Sequence, residues 1–154
     1  MRDKRIDYSE ISERFDETRV PLIQSTLEPC VSKIADYSGI LASSMVLDVG
    51  CGTGIYTIPL AKRTGTTVLG LDASKEMIRK AKTKQSREEI EWLVGDAENL
   101  PFSNCQFDCV YMTLVIHQIV NKKRAIEEIH RVLKKSGRFV AMTKSHGQLR
   151  RALI

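Results

Sequence analysis

The chain has no apolar run near the roughly 20 residues that a membrane-spanning helix needs, so no membrane span is expected. It has no internal repeat and no low-complexity stretch, which removes solenoid and disordered-tail readings. No apolar signal core follows the opening Met-Arg-Asp-Lys-Arg, and a cytoplasmic address is the expectation. Cysteine is sparse: Cys30, Cys51, Cys105 and Cys109 form no Cys-x-x-Cys pair. With the three histidines they complete no zinc pattern, so reduced thiols and no metal are expected. A disulfide at Cys51 would be awkward inside a glycine turn. Whether Cys105 and Cys109 face each other across a turn stays open. Aromatics make up only 6% of the chain and do not interleave with its basic residues as a nucleic-acid stacking platform does.

The 154 residues suffice for one domain with a real core, at an ordinary 42% hydrophobic and 28% charged. The net charge of +5 is spread along predicted helices, through Lys75, Arg79, Lys80, Lys82 and Lys84, then Lys122, Lys123 and Arg124. Solvated helix faces account for it better than a phosphate-binding stripe.

Helical spacing runs from Asp7 to about Tyr37 in two pieces, Pro21 starting the second. Strands are predicted at Met45–Val49, Thr66–Leu71, Ile90–Val94, Phe107–Met112 and Arg138–Thr143. Helices are predicted over Thr53 to Arg63, from the cap Ser74 to about Gln85, and after the cap Asn121 through Ala125, Ile129 and Val132. Gly95 to Gln106 reads as a loop, and Ser145 to Ile154 as the start of another helix. Strands alternating with helices predict a parallel α/β sheet with right-handed crossovers.

The densest information lies at Asp48-Val49-Gly50-Cys51-Gly52-Thr53-Gly54. An apolar strand runs into three alternate glycines and then a helix. Glycine tolerates positive φ and lets backbone approach a ligand. Asp72 follows a second strand about twenty residues on, where an acid meets ribose hydroxyls. A dinucleotide turn wants its third glycine at the position held here by Ile55. Asp48 would also oppose a pyrophosphate but suit an ammonium group. The turn therefore suits an adenosine with a zwitterionic tail, and a nicotinamide oxidoreductase is disfavoured.

This segment resembles the signature of the Rossmann-like S-adenosylmethionine-dependent methyltransferases. Leu71-Asp72-Ala73-Ser74, Val94-Gly95-Asp96-Ala97-Glu98-Asn99-Leu100-Pro101-Phe102, Phe107-Asp108-Cys109-Val110 and Arg131 to Phe139 resemble the family's later motifs in order. The match covers roughly residues 45–143 and is greatest with the small-molecule branch of the ubiquinone and menaquinone methyltransferases. The resemblance implies an α/β Rossmann-like, mostly parallel sheet of order 3-2-1-4-5 with helices on both faces. It divides the chain into a helical segment, 1–44, covering the cofactor site, and a cofactor-binding domain, 45–154.

For S-adenosyl-L-methionine the resemblance implies these roles. Gly50, Gly52 and Gly54, with Cys51 between them, wrap the methionine part. Asp48 reaches the ammonium, or else caps the turn. Asp72 holds the ribose hydroxyls, or else caps the helix ahead of Ser74. Ala73 packs near the adenine, and Asp96 and Ala97 contact it; Asp96 otherwise reads as a loop acid. Met112 and Thr113 flank the transferable methyl. Phe15 covers the site and Arg19 meets a carboxylate, or else both lie on a solvated helix. His117 reads as a structural or cofactor-shielding residue, or else as a base, and no catalytic residue is assigned. His130 and His146 read as surface residues. Lys135 and Ser136 replace the family's usual Pro-Gly before Gly137.

The resemblance also implies two strands beyond the fifth that are absent here. Phe139 to Met142 would then be an open apolar edge, with only Arg138 and Lys144 as flanking charges. A truncated product fits this, and so does a homo-oligomer or swapped segment pairing there. The implied function is methyl transfer to an unidentified small-molecule acceptor. The alternative is a cofactor-binding or partner subunit without turnover.

Overall fold

Successive residues of the first strand serve two different cores. In β1 (Met45–Val49), Val46 packs with Val68, Cys109 and Tyr111, while Leu47 and Val49 pack with Leu69, Leu71, Val110 and Met112. Strands apolar at successive positions belong in a parallel sheet covered on both faces. The computed structural model describes residues 8–84 and 89–143, with side chains from residue 14 onward. The predicted helix 145–154, His146, Lys144 and Gln85 lie outside the described residues.

The remaining elements are α1 (Tyr8–Ser38), α2 (Thr57–Thr64), β2 (Thr67–Asp72), α3 (Lys75–Lys84), β3 (Ile90–Val94), β4 (Phe107–Thr113), α4 (Lys122–Val132) and β5 (Leu133–Met142). A 3₁₀ turn, Ile116–Gln118, precedes α4. All strand pairs are parallel, in the order β3-β2-β1-β4-β5. One face is covered by Val31 and Ile34 of α1 and by Leu60 and Ala61 of α2. The other is covered by Ile129 and Val132 of α4 and by Leu100 of the loop after β3. The two caps behave as expected. Ser74 Oγ accepts from Met77 N at 3.3 Å, and Asn121 Oδ1 accepts from Arg124 N at 3.0 Å.

Three expectations need correction. First, α1 is one helix with Pro21 and Pro29 inside it, not two pieces. A proline removes one helical hydrogen bond and bends the axis, but contacts on either side of it hold the helix together. Second, α2 begins at Thr57 rather than Thr53, because positive φ at Gly50, Gly52 and Gly54 keeps the chain out of the helix. Third, β5 begins at Leu133, ahead of the predicted Arg138. Leu133 pairs with Phe107 and Arg138 with Cys109, so the residues between bulge out of register. A side chain at Gly137 would press on the Lys134 and Phe107 carbonyls at 3.0 Å, which is why the bulge closes there. Cys105 is exposed and Cys109 buried, and both are free thiols.

β5 lies at one edge of the sheet, with Phe139, Val140 and Met142 half-buried and Ala141 exposed. No helix among the described residues is long and apolar enough to cross a membrane.

Candidate active site

Beyond Val49 the chain turns sharply, with φ of +79° at Gly50, +55° at Gly52 and +77° at Gly54. Gly50 N and Cys51 N both donate to Leu71 O, at 2.7 and 3.0 Å, and so tie the turn to the end of β2. The three glycines do different work. A Cβ at Gly50 would lie 2.4 Å from Val115, and one at Gly54 would lie 2.7 Å from Trp92. A Cβ at Gly52 would meet nothing within 4 Å. Gly50 and Gly54 make room for protein, whereas Gly52 opens onto a cavity.

That cavity, of about 520 Å³, lies over the carboxyl ends of the strands, where open α/β sheets bind ligands. It is lined by Asp48, Gly50, Cys51, Gly52 and Thr53 from β1 and its turn, and by Asp72 and Ala73 after β2. Asp96 and Ala97 come from the loop after β3, Thr113 from β4, and Phe15 and Arg19 from α1. Of the residues assigned above to the cofactor, Gly54 and Met112 do not line it. Gly54 is buried against Trp92. Met112 points into the α4 core because strand side chains alternate. His117 is exposed and also outside the lining.

Asp48 is 1% exposed. Thr57 Oγ1 of α2 donates to its Oδ2 at 2.6 Å, so the acid does not cap its own turn. Its Oδ1 has no hydrogen-bond partner, and neither does Thr113 Oγ1, although both residues line the cavity. Tyr111 lies beside Asp48, its buried hydroxyl near enough to favour the ionised acid. Burial pushes the Asp48 carboxyl up to about 7, against the opposing Thr57 bond. Asp72 is also pushed up by burial. It accepts from Gly52 N through Oδ2 and from Ser74 N through Oδ1, each at 2.8 Å. Asp72 therefore braces the turn, stands at the helix start and lines the cavity.

A family model described as a methyltransferase domain matches residues 47–141. The chain belongs to that family. It is 34% identical over 144 residues to the chloroplastic 2-phytyl-1,4-beta-naphthoquinone methyltransferase of Arabidopsis thaliana, covering 88% of this chain and 55% of the relative. It is 32% identical over 147 residues to the demethylmenaquinone methyltransferase of Lactococcus lactis, covering 92% of this chain and 58% of that one. The chain thus spans rather more than half the length of these relatives. A solved structure from Methanococcus maripaludis superposes with a TM-score of 0.82 at 23% identity, over 99% of this chain and 72% of that chain, which shows the shared fold. Membership implies S-adenosyl-L-methionine as the cofactor.

Several residues of this methyltransferase domain escape sequence reasoning. Leu114 takes φ +58° at the exit of β4, a strained conformation for a branched side chain, with its N–H bonded to Met142 O at 2.7 Å. That bend delivers Val115 to Gly50. Ile23, Val115, Ile119 and Val120 add apolar lining to the cavity beside Gln118. The loop carrying Asp96 is clamped from α4. Glu128, 2% exposed, accepts from Leu100 N at 2.9 Å, and Arg131 donates to Leu100 O at 2.9 Å and to Phe102 O at 2.7 Å. The signal available in sequence was a Glu and an Arg three apart on a helix's apolar side.

The raised Asp48 has a consequence for pH. Between its ordinary value near 3.8 and about 7, the unfolded chain has lost this proton while the folded chain keeps it. The unfolded state then binds fewer protons, so this contribution to stability is fully present below pH 4 and is lost as pH rises through 7. Melting curves of the ligand-free protein and of Asp48→Asn should diverge over that window, the variant gaining relative to the parent as pH rises. Parallel curves from pH 4 to 8 would show an Asp48 with ordinary titration.

Proposed function

We propose that this chain binds S-adenosyl-L-methionine in the cavity and transfers its methyl to a small, largely apolar acceptor, quinone-like as in the named relatives. One observation carries the reading. The open Cβ position of Gly52 lies on the same cavity as the unpartnered Asp48 Oδ1 and Thr113 Oγ1. A backbone free of side chain beside a buried acid fits a cationic amino-acid tail. On this reading Asp72 takes the ribose, and Ala73, Asp96 and Ala97 the adenine, all four lining the cavity. Phe15 and Arg19 bring α1 over the site. Ile23, Ile119 and Val120 form the acceptor side.

The bound cofactor would supply a methyl already made electrophilic by its sulfonium. The protein's own residues align the partners and exclude water, which in favourable cases lowers a barrier by roughly 7–11 kcal/mol. A second copy pairing along β5 belongs to the same proposal; a clean monomer at high concentration in sedimentation removes that part.

The binding test is thermal shift and calorimetry with S-adenosylhomocysteine, with NAD as the control. A ligand at about 100 times its Kd stabilises the native state by about 2.7 kcal/mol, so the melting temperature should rise with the first and not the second. Saturable NAD binding with no response to S-adenosylhomocysteine would falsify the reading. Binding without turnover on a panel of quinones and phenols would favour a cofactor-binding subunit.

A further inference from the structure

Asp16 follows Phe15 on α1, and its carboxylate joins three segments far apart in sequence. Thr53 Oγ1 of the glycine turn donates to Oδ1 at 2.5 Å, and Lys84 Nζ, at the end of α3, donates to Oδ2 at 2.8 Å. Thr53 is 1% exposed, and the Asp16 and Lys84 side chains are 19% and 32% exposed. A shielded, charge-assisted pair holds its geometry better than a fully solvated one.

The helix that Asp16 fastens has two unlike halves. Phe15, Arg19 and Ile23 recur every fourth residue, so they share one face, and that face walls the cavity. No side chain between residues 14 and 30 is fully buried; burial begins with Val31 and Ile34. Pro21 removes the helical bond to the Glu17 carbonyl between the latch and the core-packed half. Asp16 is the one carboxylate joining the front half to both the turn and α3 among the described residues.

We propose that Asp16 is a positioning residue that latches the front of α1 to the glycine turn and α3, holding Phe15 and Arg19 over the bound cofactor and slowing its release. The inference rests on the cofactor occupying the cavity. A purely structural ion pair would change melting temperature alone. A latch changes the rate at which ligand leaves and the opening of one helix segment.

The chain's single tryptophan, Trp92, packs against Gly54 and Gly70 and serves as the reporter. Stopped-flow displacement of S-adenosylhomocysteine, with calorimetry for affinity, compares the parent with Asp16→Ala, Lys84→Met and the double variant. Release should quicken about tenfold in Asp16→Ala, the scale of one charge-assisted bond. Lys84→Met should quicken it less and add nothing on top of Asp16→Ala, since both break one linkage. Amide exchange should quicken over 14–20 and not over 30–38. Glu28→Ala breaks the Arg63 pair on the back half of the same helix and should leave release unchanged. Should Asp16→Ala not fold, Lys84→Met carries the test. Unchanged release and exchange in the variants, with normal binding by the parent, overturns the latch alone. Absence of binding by the parent overturns the cavity reading and the latch together.

Discussion

Gly52→Val abolishes cofactor binding and leaves a folded protein: that is the expected result. Gly52 holds φ +55°, and its Cβ position opens into the cavity with nothing within 4 Å. A β-branched residue there strains the backbone by about 1–3 kcal/mol and pushes two methyl groups into ligand space. No protein atom lies within 4 Å of that Cβ, so backbone strain is the main cost to the fold. Gly50→Val and Gly54→Val should instead fail to fold, since their side chains would drive into Val115 and Trp92. Calorimetry with S-adenosylhomocysteine should show affinity for Gly52→Ala reduced and for Gly52→Val beyond detection. Circular dichroism should show both folded. A folded Gly52→Val that binds normally would mean the turn does not face the ligand.

Asp72→Ala should weaken cofactor binding by about 1.5–3 kcal/mol, the scale of hydrogen bonds to a charged group, or roughly ten- to 150-fold. The loss has two sources. The carboxylate lines the cavity, and it also braces Gly52 N and Ser74 N. Asp72→Asn separates them, because it keeps one acceptor oxygen and loses the charge. If Asp72→Ala melts lower yet binds S-adenosylhomocysteine with parental affinity, the acid is a brace and a cap only.

The sequence on its own determined the elements whose signals are local. β1 at Met45–Val49 and β3 at Ile90–Val94 have the bounds that apolar patterning predicts, and Ser74 and Asn121 cap where their side chains allow. The glycine turn and Asp72 are legible because positive φ and a strand-end acid are properties of a residue and its neighbours. The parallel order β3-β2-β1-β4-β5 follows from the family motifs. Facing belongs to the tertiary structure. Only packing turns Gly54 toward Trp92 rather than the cavity, and only the seating of β4 sends Met112 into the core and Thr113 to the cavity lining. Asp48 is raised because the closed fold buries it, against the opposing influence of Thr57 and Tyr111. The continuity of α1 through Pro21 and the meeting of Asp16, Thr53 and Lys84 depend on contacts between segments 31 to 68 residues apart. Conformational preferences act over a few residues, whereas burial and long-range hydrogen bonds exist only once the chain has closed on itself.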